Sequence, residues 1–182
     1  MKITIYSGSF NPIHFGHLGI AKYVLEHTDT DELWLLVTPN NPLKDKHLLA
    51  DENERYNNAK KAIVQINTEL QEKNIKKQVQ VSDFEFSLPK PNYTYNTLCL
   101  LKQQYPQHEI QLLIGSDNLT LIDKWYKNKE LLSDFHIIVY PRKGDDLQQL
   151  QQHYPRVEIL FDAPMFDISS TQIRTKTADA ER

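Results

Sequence analysis

The chain is predicted to fold as an α/β protein built on a doubly wound, mostly parallel sheet. Apolar runs alternate with longer amphipathic stretches along its length, the strand-then-helix rhythm of parallel sheets. Three of the runs, Leu33-Trp34-Leu35-Leu36-Val37, Leu112-Leu113-Ile114 and Ile137-Ile138-Val139, are almost continuously apolar, as strands buried on both faces are. The first run, Ile3-Thr4-Ile5-Tyr6, passes into the turn-forming stretch Gly8-Ser9-Phe10-Asn11-Pro12-Ile13-His14-Phe15-Gly16-His17. That is where the first strand of an open sheet hands over to its first helix, beyond the carboxyl end of the strand, where ligands collect.

In chain order, the pattern predicts strands over 2–7, 33–38, 78–84, 109–114, 136–140 and 157–161, and helices over 16–27, 51–73, 94–104 and 145–153. Pro39-Asn40-Asn41-Pro42 and Leu88-Pro89-Lys90-Pro91 read as rigid loops, because proline fixes φ and removes a donor. Both follow predicted strands, so both are expected to rim a site at the strand ends. No internal repeat, linker or low-complexity tract interrupts the pattern, and a single domain is expected over 1–182.

Bulk properties narrow the function. Of the 182 residues, 40% are hydrophobic and 25% charged, ordinary for a soluble globular chain. No apolar run is long enough to cross a membrane. The start reads as a strand and not as a signal peptide, since Ser7 and Ser9 interrupt it. Cys99 is the sole cysteine, which excludes an internal disulfide and fits a reducing cytoplasm. The net charge is −3, without the basic surplus of a duplex binder, so neither nucleic acid nor membrane is expected as a partner. The densest basic cluster, at 73–77, reads as a solvated helix end. A small anion needs only a few local cations.

The start of the first helix supplies such a place, with unpaired N–H groups and a positive dipole end. His14 and His17 are three apart and can face one anion, and Gly16 lets a phosphate approach the backbone. An imidazole N–H can follow charge building on a phosphoryl oxygen. Zinc is disfavoured, because two histidines need a further ligand; no metal site is expected. Near the other end, Ser169 and Gln172 have capping-box spacing; the Ser170 and Thr171 hydroxyls come next in the sequence and Arg174 one turn further on, together a second phosphate grip. Two grips suit a polyphosphate. Lys44, after the second strand, and Arg142 and Lys143, after the fifth, are further candidate cations. Thr94 is expected to cap the helix it begins, leaving N–H donors for an anion or serving only its own helix. Asp117, in a Gly-Ser-Asp turn, either orients an adenosine or is plain turn chemistry.

Taken together, these residues resemble the nucleotidylyltransferase superfamily, in the adenylyltransferase branch with an H-x-G-H signature. That signature is His14-Phe15-Gly16-His17, and the distal signature is Ile168-Ser169-Ser170-Thr171-Gln172-Ile173-Arg174. Asn41-Pro42-Leu43-Lys44 resembles the loop ending in a phosphate-binding cation, and Arg55 stands where the next helix has an arginine. Pro91-Asn92-Tyr93-Thr94-Tyr95-Asn96-Thr97-Leu98 resembles the nicotinate-binding stretch; Ile114-Gly115-Ser116-Asp117-Asn118 and Lys124-Trp125-Tyr126 resemble the adenosine-side and pyridine-side segments. The full set resembles the bacterial nicotinate-nucleotide adenylyltransferases. Asn96 departs from the acidic residue of many members, and the polar tail over 175–182 departs from the helix that usually follows.

The resemblance implies a Rossmann-like fold and a reaction of NAD biosynthesis. The phosphate of nicotinate mononucleotide attacks the α-phosphorus of ATP, giving deamido-NAD and pyrophosphate. No general base is demanded, because the nucleophile is already an anion; alignment and charge neutralisation suffice. By resemblance His14, His17, Lys44 and Arg174 are catalytic. Gly8, Ser9, Phe10, Gly115, Asp117, Arg142, Ile168, Ser169, Ser170 and Thr171 join the histidines and Arg174 on ATP, with Mg2+ bound through its phosphates. Ser9, Phe10, Lys44, Tyr93, Thr94, Trp125 and Tyr126 hold the mononucleotide, Trp125 by stacking on the pyridine. The alternatives are a related enzyme acting on nicotinamide mononucleotide or phosphopantetheine, and a non-catalytic nucleotide-binding relative. A homo-oligomer is compatible with the sequence.

Overall fold

Leu112 and Leu113 are adjacent, both about 1% exposed, and belong to two different apolar clusters. The neighbours Ile137 and Ile138 divide in the same way. Successive side chains of a strand point to opposite faces, so a continuous apolar run forms when both faces are covered. In the computed structural model, which describes residues 1–39, 51–166 and 173–174, these runs lie at the centre of one sheet.

Among the described residues the strands are β1 (Lys2–Gly8), β2 (Glu32–Val37), β3 (Gln78–Ser82), β4 (Glu109–Gly115), β5 (His136–Tyr140) and β6 (Glu158–Ile159). They pair in the order β3-β2-β1-β4-β5-β6, every pair parallel. The helices are α1 (Phe15–His27), α2 (Glu52–Glu72), α3 (Thr94–Gln104), α4 (Ser116–Leu119), α5 (Asn128–Asp134) and α6 (Leu147–His153). Val24 and Leu25 of α1 and Ile66 and Leu70 of α2 share one cluster with Leu35 and Leu113. Leu98 of α3, Leu131 of α5 and Leu150 of α6 share the other with Ile5 and Leu112. Each fully buried leucine contributes on the order of 2 kcal/mol. The chain winds outward from β1 through β2 to β3, then returns to β4 on the other side of β1. This reversal opens a crevice at the carboxyl ends of β1 and β4.

Element ends differ from expectation for local reasons. β3 stops at Ser82, whose hydroxyl accepts the Phe84 N–H at 3.3 Å and turns the chain into the 3-10 helix Phe84–Ser87. β6 keeps two residues of the expected five, because Phe161 N–H bonds back to the Ile159 carbonyl in a turn. α6 begins at Leu147, since Asp146 caps it through the Gln149 N–H at 3.0 Å. The basic cluster is spent on the surface: Lys73 pairs with Glu26 and Lys77 donates to the Thr28 carbonyl, each at 2.7 Å. No helix among the described residues is long and apolar enough to cross a membrane.

Candidate active site

His14 is the N-cap of α1, in extended backbone, and is buried. Its Nδ1 accepts the Gly16 N–H at 3.2 Å, while its own N–H donates to His17 Nδ1 at 3.2 Å. The rings lie with centroids 3.7 Å apart and planes 31° apart. Each Nδ1 is an acceptor, so the proton of each neutral ring sits on Nε2. Burial, and then the Arg142 guanidinium, pull His14 down to about 4 from the ordinary 6.5. It is therefore a neutral N–H donor near pH 7.

The loop before the histidines is held from three sides. Phe10 has a φ of 44° and its ring is buried against Tyr6 and His17. A positive φ in a bulky residue costs about 1–3 kcal/mol and persists where packing fixes it. The Phe10 ring thus builds the loop from inside. From α2, buried Arg55 donates to the carbonyls of Ser9 at 2.5 Å, Thr38 at 2.9 Å and Pro39 at 3.4 Å, tying the ends of β1 and β2 to that helix. From the far end of the chain, the Arg174 guanidinium donates to the Asn11 carbonyl. The distal cation and the paired imidazoles therefore share one loop.

Across the crevice, the backbone N–H of Arg142 bonds the Ser116 hydroxyl at 2.8 Å, its guanidinium lies 4.8 Å from the centre of the Tyr140 ring, and Nε is 3.8 Å from Asp117 Oδ1. A Cβ on Gly115 would collide with the Asp117 carboxylate, so a larger residue there would push that carboxylate from its present place. Asp117 sits in α4 and not in the expected open turn. The Tyr6 and Tyr140 hydroxyls meet at 3.3 Å, and burial raises both phenols, keeping them neutral.

Between these walls lies a cavity of about 330 Å³. Leu112, Leu113 and Ile114 line it, with Gly8 and Gly115 at the strand ends and Tyr93, Thr94, Trp125 and Tyr126 on the far side. Tyr93, not Thr94, is the N-cap of α3, and no side chain caps the helix. Thr94 is the first helical residue, and its turn leaves backbone donors for a ligand. Tyr93 stacks on Tyr126, centroids 4.6 Å and planes 26° apart. Trp125 both packs on the core and lines the cavity.

The structure thus gathers Gly8, Ser9, Phe10, His14, His17, Gly115, Asp117, Arg142, Tyr93, Thr94, Trp125, Tyr126 and Arg174 around one crevice. Lys44, Ile168, Ser169, Ser170 and Thr171 lie outside the described residues. Pattern reading did not single out Glu85, Asn92 or Thr38 as individual contributors, yet each lines the cavity. Only a polar side chain inside an otherwise apolar stretch hinted at Glu85. Among the described residues, no group of three or more His, Cys, Asp or Glu side chains is placed to hold a metal ion.

The model of the cytidylyltransferase-like family matches residues 5–176. A Bacteroides fragilis protein named probable nicotinate-nucleotide adenylyltransferase is 44% identical over 97% of this chain and 82% of its own length. A Flavobacterium johnsoniae protein of the same name is 41% identical over 100% of this chain and 89% of its own. A solved Plasmodium falciparum nicotinic acid mononucleotide adenylyltransferase, complexed with NaAD, shares the fold at a TM-score of 0.77, with 22% identity over 96% of this chain and 82% of that one.

Proposed function

Since the chain belongs to the cytidylyltransferase-like family, we propose that it is a nicotinate-nucleotide adenylyltransferase, working in the cytoplasm on ATP and nicotinate mononucleotide. The observation that carries this is the junction of the paired imidazoles at the start of α1 with the Arg174 guanidinium on the same loop. It lies beside a cavity sized for a nucleotide. The two relatives cited bear that activity in their names.

A phosphate oxygen of the mononucleotide attacks the α-phosphorus of ATP. A new phosphoanhydride bond forms, the bond to the bridging oxygen breaks, and pyrophosphate carries away the electron pair. ATP arrives as its magnesium complex, the metal held by phosphate oxygens and water; the candidate cations suit the anion, not the metal. His14 and His17 donate from Nε2 to the α- and β-phosphates, where charge grows in the transition state. Arg174 and Arg142 neutralise the triphosphate, and the backbone of Gly8, Ser9 and Phe10 lies along it. Lys44 is proposed beside the reacting phosphates, and Ile168, Ser169, Ser170 and Thr171 on the β- and γ-phosphates, from their sequence positions. Asp117, beside Gly115, is proposed for the ribose of the adenosine. The first-turn N–H groups of α3 and the Tyr126 amide receive the pyridine carboxylate, and Trp125 stacks on the ring.

The test is identification of the product by mass after mixing the protein with ATP, magnesium and nicotinate mononucleotide, in parallel with nicotinamide mononucleotide and phosphopantetheine. Deamido-NAD and pyrophosphate in equal amounts are expected. Binding of ATP without product from any acceptor overturns the assignment.

A further inference from the structure

Tyr140 ends β5, and in the sheet register it stands beside Gly115 at the end of β4. Residues paired across neighbouring strands share a face of the sheet. A Cβ on Gly115 would lie 3.3 Å from Tyr140 Cζ and 3.4 Å from Arg142 Nε. Bare backbone at that place leaves the tyrosine ring its way across β4. Its hydroxyl meets that of Tyr6 on β1 at 3.3 Å, and the two rings lie edge to face with centroids 6.1 Å apart. Both tyrosines are buried, so the ring has one place to be.

The Arg142 guanidinium lies over this ring, 4.8 Å from its centre. Its Nε is buried without a hydrogen-bond partner, and Asp117 Oδ1 stands 3.8 Å away, beyond hydrogen-bond reach. An aromatic face attracts a guanidinium and fixes its plane, more strongly where water is excluded. The backbone of the arginine is pinned as well, since its N–H bonds the Ser116 hydroxyl and that hydroxyl donates to Asp145 at 2.5 Å. The position so fixed is on the histidine side of the crevice. The charge is felt at the His14 imidazole, and the Tyr6 ring lies 6.1 Å from that of His17. Guanidinium, Tyr140, Tyr6 and His17 thus form one row from the end of β5 to the start of α1, and both tyrosines line the cavity.

We propose that Tyr140 is a positioning residue for ATP: its ring, passing over Gly115 and fixed by Tyr6, carries the Arg142 guanidinium at the place where the triphosphate arrives. This rests on the reading of Arg142 as a cation for the triphosphate. Without the ring the arginine keeps its charge and loses its set position. The triphosphate then has to order a long side chain as it binds, and binding weakens. The mononucleotide, against Tyr93 and Trp125, does not meet the guanidinium.

Two substitutions separate the ring from the bulk of the residue. Tyr140→Met fills the space with a flexible apolar chain; Tyr140→Phe keeps the aromatic face. Tyr140→Met should raise KM for ATP about five- to thirtyfold and move KM for nicotinate mononucleotide less than about twofold. Tyr140→Phe should recover most of the loss. In an Arg142→Ala background, Tyr140→Met should change KM for ATP less than about twofold, because the two residues act through one contact. A tyrosine that only supports the fold would raise both KM values together, or keep its full effect in the Arg142→Ala background. Either result overturns the proposal, as does Tyr140→Phe failing as badly as Tyr140→Met. If Tyr140→Met does not fold, the NMR signal of the Arg142 Nε–H group decides, assigned by its loss in Arg142→Lys. A signal displaced by the ring current from those of exposed arginines, and moved by a non-reactive ATP analogue, supports the proposal; a signal undisplaced, or unmoved by the analogue, overturns it. An unchanged KM for ATP in Arg142→Ala overturns the reading of that arginine, and the proposal with it. A raised KM in Arg142→Ala with none in Tyr140→Met overturns the part of Tyr140 alone.

Discussion

His14 uses its two ring nitrogens for different ends. Nδ1 accepts the Gly16 N–H and closes the start of α1, and Nε2 is the donor proposed for phosphate. His14→Ala loses both, so urea denaturation should show a loss of about 1 kcal/mol for the missing cap together with a fall in turnover. His14→Asn restores a capping acceptor and should recover the stability but not the turnover. His17→Ala should stay folded and lose at least about a hundredfold in turnover; a folded variant with near-normal rate refutes its role. The buried ring also predicts a pH dependence. Its proton affinity is held down to about 4 in the folded chain against an ordinary 6.5, so the unfolded chain takes up the proton first as pH falls. The contribution of His14 is complete above about pH 6.5 and drains away toward pH 4. Measured against non-titrating His14→Asn, the wild type should lose at most about 3 kcal/mol across that window. The histidine pair was legible because its geometry is local: three positions apart, at one helix start. The place of Glu85 was not, because its bond to Thr97 and its position in the cavity wall are set by distant segments.

Helices and loops act here as holders of side chains that work elsewhere. α2 spans 21 residues and is capped by Asp51, yet its most consequential residue is Arg55, which bonds three carbonyls at the ends of β1 and β2. Arg55→Met leaves those carbonyls without their cation and should destabilise the fold by about 2–5 kcal/mol, read from denaturant midpoints. The positions of β1 and β2 loops should then loosen, and turnover should fall with stability. The 3-10 segment Ile122–Lys124 leads to Trp125, which belongs to the acceptor wall of the cavity. Trp125→Ala should raise KM for the mononucleotide at least about tenfold while leaving KM for ATP nearly unchanged; an equal rise in both refutes stacking on the pyridine. Long elements could be read ahead of the structure because periodicity accumulates with length, as in α1 and α3. α5 could not, since seven residues with one buried leucine carry too little pattern to separate helix from loop.

Across the whole molecule, one reversal of strand order does the positioning. The strand ends on either side of the β1–β4 boundary deliver the histidine loop, Gly115 and the Arg142 segment to one crevice. If that crevice binds a nucleotide in the folded chain alone, ligand and fold are linked. A non-reactive ATP analogue at about a hundred times its Kd should stabilise the protein by about 2.7 kcal/mol, a rise in Tm of roughly 5–10 °C for a chain of this size. No shift at saturating concentrations contradicts a nucleotide site. The amino-acid order alone settled the class of fold, the principal strands and helices, and the place of the histidine-bearing turn at the start of the first helix. Each of these follows from interactions between near neighbours, where side-chain periodicity and turn chemistry act directly. Folding in three dimensions settled the rest: that Arg174 reaches the Asn11 carbonyl, that the Phe10 ring is buried in the core, that Tyr93 rather than Thr94 holds the N-cap position of α3, and that buried Glu85 belongs to the cavity wall. Those outcomes depend on which distant segments exclude water together, and burial of that kind is a property of the assembled layers and of no single stretch of chain.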